Sequence, residues 1–115
     1  MDTRTKIVSS EEAARIAAAG AVVVSGYFDP LVSSHAESLS RMKQNGRPLL
    51  VLIATPKNPI LPAIARAELV AGLAAVDFVT EMTSDLAPQI RMEPEDEARL
   101  ETLIAHVHAR QQAVS

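Results

Sequence analysis

Residues 26–35 read Gly26-Tyr27-Phe28-Asp29-Pro30-Leu31-Val32-Ser33-Ser34-His35. They follow an apolar run, Ala21-Val22-Val23-Val24-Ser25, and lead into a helical pattern, so His35 falls at a helix start. Such a position suits an anion. The first turn of a helix presents backbone N–H groups and the positive end of its dipole. A histidine adds a ring donor, and a glycine lets backbone approach a ligand closely. Each residue also has a plainer reading. His35 could be held by hydrogen bonds local to the helix start, and Asp29 could hold the turn through backbone N–H groups instead of binding a metal. Ser34-His35-Ala36-Glu37 is a capping-box pattern, which would occupy N–H groups that a phosphate needs and bring the Glu37 charge beside them. Arg66 faces either a ligand cleft or solvent, and Lys57 is either a phosphate contact or a solvated loop lysine.

The elements that must position these residues alternate. Ser9 and Glu12 form a capping box for a helix through Ala13, Ala14, Ile16 and Ala17 that stops at Gly20. The run 21–25 is a strand covered on both faces. A second helix starts near Ser33-Ser34, carries Ala36, Leu39 and Met42 at helical spacing, and ends at Asn45-Gly46. Pro48 to Ala54 is the clearest strand. Pro56, Pro59 and Pro62 mark a loop, with Pro62 at the first position of a third helix whose apolar side is Ile64, Val70 and Leu73 and which ends near Ala75. Asp77 to Glu81 reads as a third strand, while residues 83–92 are ambiguous, with Pro88 to Met92 able to form a short edge strand. Pro94 opens a last helix, with Leu100, Leu103, Ile104 and Val107 as one stripe.

Strands alternating with helices predict an α/β fold: a three-layer, Rossmann-like parallel sheet with helices on both faces, in one domain over 1–115. Ligands bind such sheets outside the carboxyl ends of the strands, where the strand order reverses. Residues 26–35 and the loop 55–62 would open on that same edge.

Composition narrows the chemistry. The 115 residues carry a net charge of −3 and no basic stripe, which argues against nucleic acid. The absence of cysteine removes disulfides and thiolate zinc sites, and it fits a reducing compartment. The longest unbroken apolar run, Leu49 to Ala54, is too short to span a bilayer. Glu11-Glu12 and Arg15 do not suit a signal peptide, so the expected location is cytoplasmic. His106 and His108 stand two apart on a helix, the wrong spacing for a shared metal, and no metal site is expected. Ser25, Asp29 and His35 are hydrolase residue types, but no nucleophile elbow surrounds the serine.

Three stretches together resemble the cytidylyltransferase-like nucleotidyltransferases, and most closely the nucleotidyltransferase domain of bacterial heptose-phosphate enzymes. Lys6 to Glu12 looks like the helix entry before the first strand. Gly26-Tyr27-Phe28-Asp29-Pro30-Leu31 is similar to G-x-F-D-x-L, which the family continues as H-x-G-H. Arg66-Ala67-Glu68-Leu69 with Val76-Asp77-Phe78-Val79 looks like its R-x-E-x-L helix and the V-D-x-V strand. The resemblance implies transfer of a nucleoside monophosphate, from CTP ahead of ATP, to a sugar or polyol phosphate, with release of pyrophosphate and usually with Mg²⁺. It implies His35 as the catalytic residue and Gly26, Tyr27, Phe28, Asp29, Ser34, Lys57 and Arg66 as nucleotide-binding, in a chain that pairs as a homo-oligomer.

The same motif is incomplete. Val32 stands where the family has its first histidine, and Ser34 where it has a glycine. The loop Thr55-Pro56-Lys57-Asn58-Pro59 is short, and Pro88 to Asp96 lacks a Ser/Thr-rich phosphate segment. Losing one transition-state donor commonly costs about a hundredfold in rate. The expectation is therefore a degenerate nucleotidyltransferase. The alternative is a non-catalytic nucleotide-binding or protein-interaction module.

Overall fold

The computed structural model describes residues 3–43 and 46–94. After a 3-10 turn at Thr3–Lys6, the chain forms α1 (Ser10–Ala18), β1 (Val22–Gly26), α2 (Ser33–Met42), β2 (Leu49–Ile53), α3 (Ala63–Ala71), β3 (Phe78–Glu81) and β4 (Ile90–Arg91). The sheet is parallel in the order β3-β2-β1-β4. This is the expected α/β, Rossmann-like architecture, with helices interleaved between strands.

β1 and β2 are buried along their whole length, as two continuous apolar runs require when both faces are covered. Alternation along the strands divides the core. Val22, Val24, Leu49, Val51, Ile53 and Val79 pack beneath Leu39 of α2 and Ala67, Val70 and Ala71 of α3, with Phe28 in the same cluster. Val23, Leu50 and Leu52 face the other way, toward Ala13, Ile16 and Ala17 of α1 and toward Leu86. Each fully buried Val or Leu contributes about 1.5–3 kcal/mol over its exposed state. The β1-α2-β2 and β2-α3-β3 connections step in one direction, which puts α2 and α3 on one face. The chain then returns past β1 to add β4, so the strand order reverses between β1 and β4. The outer edge of β3 is capped in part by the segment before α1: Ile7 bridges Val79, and the Val8 N–H donates to the Val79 carbonyl.

Several boundaries differ from the sequence expectation. The Ser9 half of the expected α1 cap is present, with Ser9 Oγ accepting from the Glu12 N–H at 3.2 Å, and the helix ends at Ala18, ahead of Gly20. α2 stops at Met42, short of Asn45-Gly46. In α3, Pro62 is the N-cap and the helix stops at Ala71, before Ala75. Its buried side is Arg66, Ala67, Val70 and Ala71, while Ile64 is exposed. The ambiguous stretch 88–92 does contain an edge strand, of two residues, paired to β1. The expected last helix, with Leu100 to Val107, His106 and His108, lies outside the described residues. At the amino edge, Asp77 accepts from the Leu49 N–H at 2.7 Å and pairs with Lys43, so one carboxylate joins the starts of β2 and β3 to the end of α2.

Candidate functional site

The turn after β1 is shaped by Gly26. The Phe28 ring folds back over this residue, and a Cβ there would lie 2.6 Å from the ring carbon Cζ. Phe28 itself takes a positive φ of 50°, a conformation that disfavours a bulky residue and that its full burial offsets. The Asp29-Pro30 peptide that follows is cis. The G-x-F part of the motif is thus a packing device: a glycine accommodates the aromatic two residues later.

Asp29 does not hold its own turn. Its two carboxylate oxygens accept from the Ile60 and Leu61 N–H groups at 2.6 and 2.8 Å, which ties the loop after β1 to the loop after β2. Both loops therefore open on one edge, as expected. With each oxygen accepting a backbone N–H of the neighbouring loop, Asp29 acts as a tie between the two loops. Among the described residues no three His, Asp or Glu side chains gather to hold a metal.

His35 lies in the first turn of α2 and is only 3% exposed. Its ring meets Phe28 edge to face at a centroid distance of 5.2 Å. Nδ1 accepts from the Val32 N–H at 3.1 Å, while the His35 N–H donates to the Val32 carbonyl at 3.0 Å. The neutral ring then carries its proton on Nε2. The expected Ser34–Glu37 capping box is replaced: Val32 is the N-cap, Ser34 is already inside the helix, and His35 is the residue that reaches back.

Arg66 is neither a surface arginine nor a cleft arginine. It is 1% exposed and clamps three carbonyls: Nε donates to Leu61 at 3.0 Å, and Nη1 to Tyr27 at 3.0 Å and Ala54 at 2.6 Å. These carbonyls belong to the segments just past β1 and β2 and to the entry of α3. The helical stripe gave a signal for this, since Arg66 stands four residues before the buried Val70. Lys57 is exposed on the proline-rich loop and lies outside the cleft described next.

That cleft, of about 460 Å³, opens at the carboxyl edge and is lined by Tyr27, Ala54, Thr55, Met82, Arg91, Glu93 and Pro94. These residues follow or end all the strands, and β1 and β4 flank the reversal in strand order. Of the residues foreseen for the nucleotide, Tyr27 alone lines it. Ser25 alternates with Val24, so it shares the α1 face with Val23, and its register partner is Arg91. Phe28 and His35 belong to the opposite, α2 side. The turn and the cleft therefore adjoin through Tyr27 but occupy different sides of the sheet edge.

Sequence reasoning missed the cleft's polar groups. Ser25 Oγ donates to Glu93 Oε2 at 2.9 Å, and both residues are buried, Glu93 at 9% exposure. Arg91 is exposed and in no ion pair among the described residues. The partners Ser25 and Glu93 are 68 residues apart, and only the β1–β4 pairing joins them.

The fold and cleft define a small α/β domain with a four-stranded parallel sheet and a ligand-sized opening at its switch point. No protein-family model matches the chain, and no curated protein does either. No helix among the described residues is long and apolar enough to cross a membrane.

Proposed function

We propose that this chain is a nucleotidyltransferase-type domain that binds a nucleotide at the carboxyl edge of its sheet and has lost nucleotidyl transfer. One observation carries the reading. The groups that would stabilise charge on the transferring phosphate are engaged elsewhere: His35 and Arg66 with backbone, and Lys57 outside the cleft. Phosphoryl-type chemistry depends almost wholly on such positioned donors and cations. The scaffold retains the G-x-F-D turn, the joined loops and an opening whose volume suits a small ligand. CTP is the favoured nucleotide by resemblance, ahead of ATP. No step is assigned to Mg²⁺ on this chain's own residues, so the metal would accompany the triphosphate as its counter-ion.

Thermal shift with CTP and ATP, with and without Mg²⁺, together with pyrophosphate release in the presence of sugar phosphates, tests the proposal. Stabilisation by a bound ligand follows mass action. The expected result is a saturable shift with nucleotide and pyrophosphate release at the uncatalysed level. Multiple turnovers of pyrophosphate would overturn the loss of transfer. No shift with any nucleotide would overturn nucleotide binding and favour an interaction module, for which the 75% exposed Ile60 and 59% exposed Ile64 would be the surface to examine.

A further inference from the structure

The buried carboxylate in the cleft has a use still open to it. An ionised carboxylate only accepts hydrogen bonds, at about four lone-pair positions. Glu93 Oε2 receives the Ser25 hydroxyl, and Oε1 has no partner among the described residues. Glu93 is nonetheless nine-tenths buried and lines the opening. Oε1 is not sealed from solvent, since among the described residues the one buried side-chain oxygen without a partner is Thr83 Oγ1, so ligand hydroxyls can replace water on it. Ser25 is fully buried on β1 and fixes which oxygen is occupied, so the carboxylate is presented in one orientation.

The charge around Glu93 says which donors fit. Arg91 lines the same cleft and makes no ion pair with Glu93. A cationic ligand would meet the guanidinium, whereas an anionic group would be drawn to it. The matching ligand carries neutral O–H donors at one end and an anion at the other. Tyr27, Ala54, Met82 and Pro94 give the rest of the cleft an apolar or aromatic surface suited to a sugar or base.

We infer that Glu93, oriented by Ser25, recognises a pair of neighbouring hydroxyls of a phosphorylated sugar, as in the ribose of a nucleotide, while Arg91 takes a phosphate oxygen. The inference rests on the carboxyl-edge cleft being the binding site proposed above, and it names the part of the ligand that is selected there. Glu93 is a binding residue in this scheme and Ser25 a positioning residue.

The test is calorimetric titration of the wild-type chain with CTP, 2′,3′-dideoxy-CTP, cytidine and ribose 5-phosphate, repeated with Glu93→Gln and Arg91→Ala. Glu93→Gln keeps an oxygen for Ser25, and Arg91 is exposed, so both variants should stay folded and melt within a few degrees of wild type. Removing hydroxyls that bond to a charged group should weaken binding roughly tenfold or more. CTP should therefore bind at least about tenfold tighter than its dideoxy form, and that ratio should collapse toward one in Glu93→Gln. Arg91→Ala should weaken CTP and ribose 5-phosphate but leave cytidine unchanged. Equal binding of CTP and dideoxy-CTP to the wild type overturns the inference and leaves nucleotide binding intact. Glu93-dependent binding of ribose 5-phosphate without any binding of CTP sustains the inference and overturns the nucleotide. Loss of affinity in Glu93→Gln that is equal for both forms of CTP overturns the hydroxyl assignment.

Discussion

Asp29 and Glu93 both stand at the carboxyl edge of the sheet, yet their surroundings differ. Asp29 has both oxygens on backbone N–H groups of the neighbouring loop. Glu93 has one on a serine and lines an open cleft. The same division runs through the cations: Arg66 is occupied by three carbonyls, whereas Arg91 is exposed beside the cleft. Residue types alone therefore do not separate binding groups from scaffold. What separates them is whether backbone has already taken their hydrogen bonds. The 26–35 turn, which looks most like a site, is mainly scaffold, and the end of β4 offers the unclaimed polar atoms.

The sharpest way to break this comparison is Arg66→Ala. It removes three charge-assisted bonds and leaves a void under two loops, and it should destabilise the domain by about 3 kcal/mol or more in urea unfolding. A loss below about 1 kcal/mol would mean that Arg66 is not the clamp described. Gly26→Ala comes next. The new methyl must displace the Phe28 ring from a fully buried position, and overpacking of this kind costs about 1–3 kcal/mol. An unchanged unfolding midpoint would contradict the fit of ring over glycine.

The two carboxylates can then be compared directly. Asp29→Asn turns an amide N–H toward a backbone N–H and should cost about 2 kcal/mol of stability. Glu93→Gln keeps an acceptor for Ser25 and should cost less than about 1 kcal/mol. The reverse order would show that Glu93 is the structural member of the pair.

The smallest expected effect lies at the amino edge. Burial pushes the Asp77 carboxyl up, but the Lys43 bond, the Leu49 N–H and the Lys43 and Lys6 charges outweigh it and hold its pKa below the ordinary value. A depressed carboxyl stabilises the fold above its unfolded pKa, and that contribution fades as pH falls below about 4 through the folded value. Because Asp77 and Lys43 are each about a third exposed, solvent screening limits the effect to a few tenths of a kcal/mol. Acid titrations of stability should show a slightly flatter limb for Asp77→Asn than for the parent, with the two curves meeting at low pH.

The sheet was legible in the sequence because β1 and β2 are unbroken apolar runs, which only a doubly covered strand accommodates. The shared edge of the loops after β1 and β2 followed from that order. Ile64 was misplaced because Ala67 and Ala71, small and easily overlooked, form the buried stripe of α3 together with Arg66 and Val70. Glu93 was hidden for another reason. It precedes Glu95, Asp96 and Glu97, so it reads as one more acid at a solvated helix start. Only the pairing of Ser25 with Arg91 brings it beneath the cleft, and a two-residue strand carries too little pattern to reveal that register. His35 was legible as a helix-start residue, but its bond to Val32 depends on a buried ring geometry that spacing does not encode.

The claim that binding belongs to the end of β4 and not to the turn after β1 is tested most directly by the dissociation constant for CTP in Lys57→Ala, His35→Asn and Glu93→Gln. In His35→Asn the new side-chain amide can still accept from the Val32 N–H, so that variant removes the imidazole while retaining a cap. The account predicts affinities within about threefold of wild type for the first two and a weakening of roughly tenfold or more for Glu93→Gln. Full affinity in Glu93→Gln, with a large loss in Lys57→Ala or His35→Asn, would contradict it.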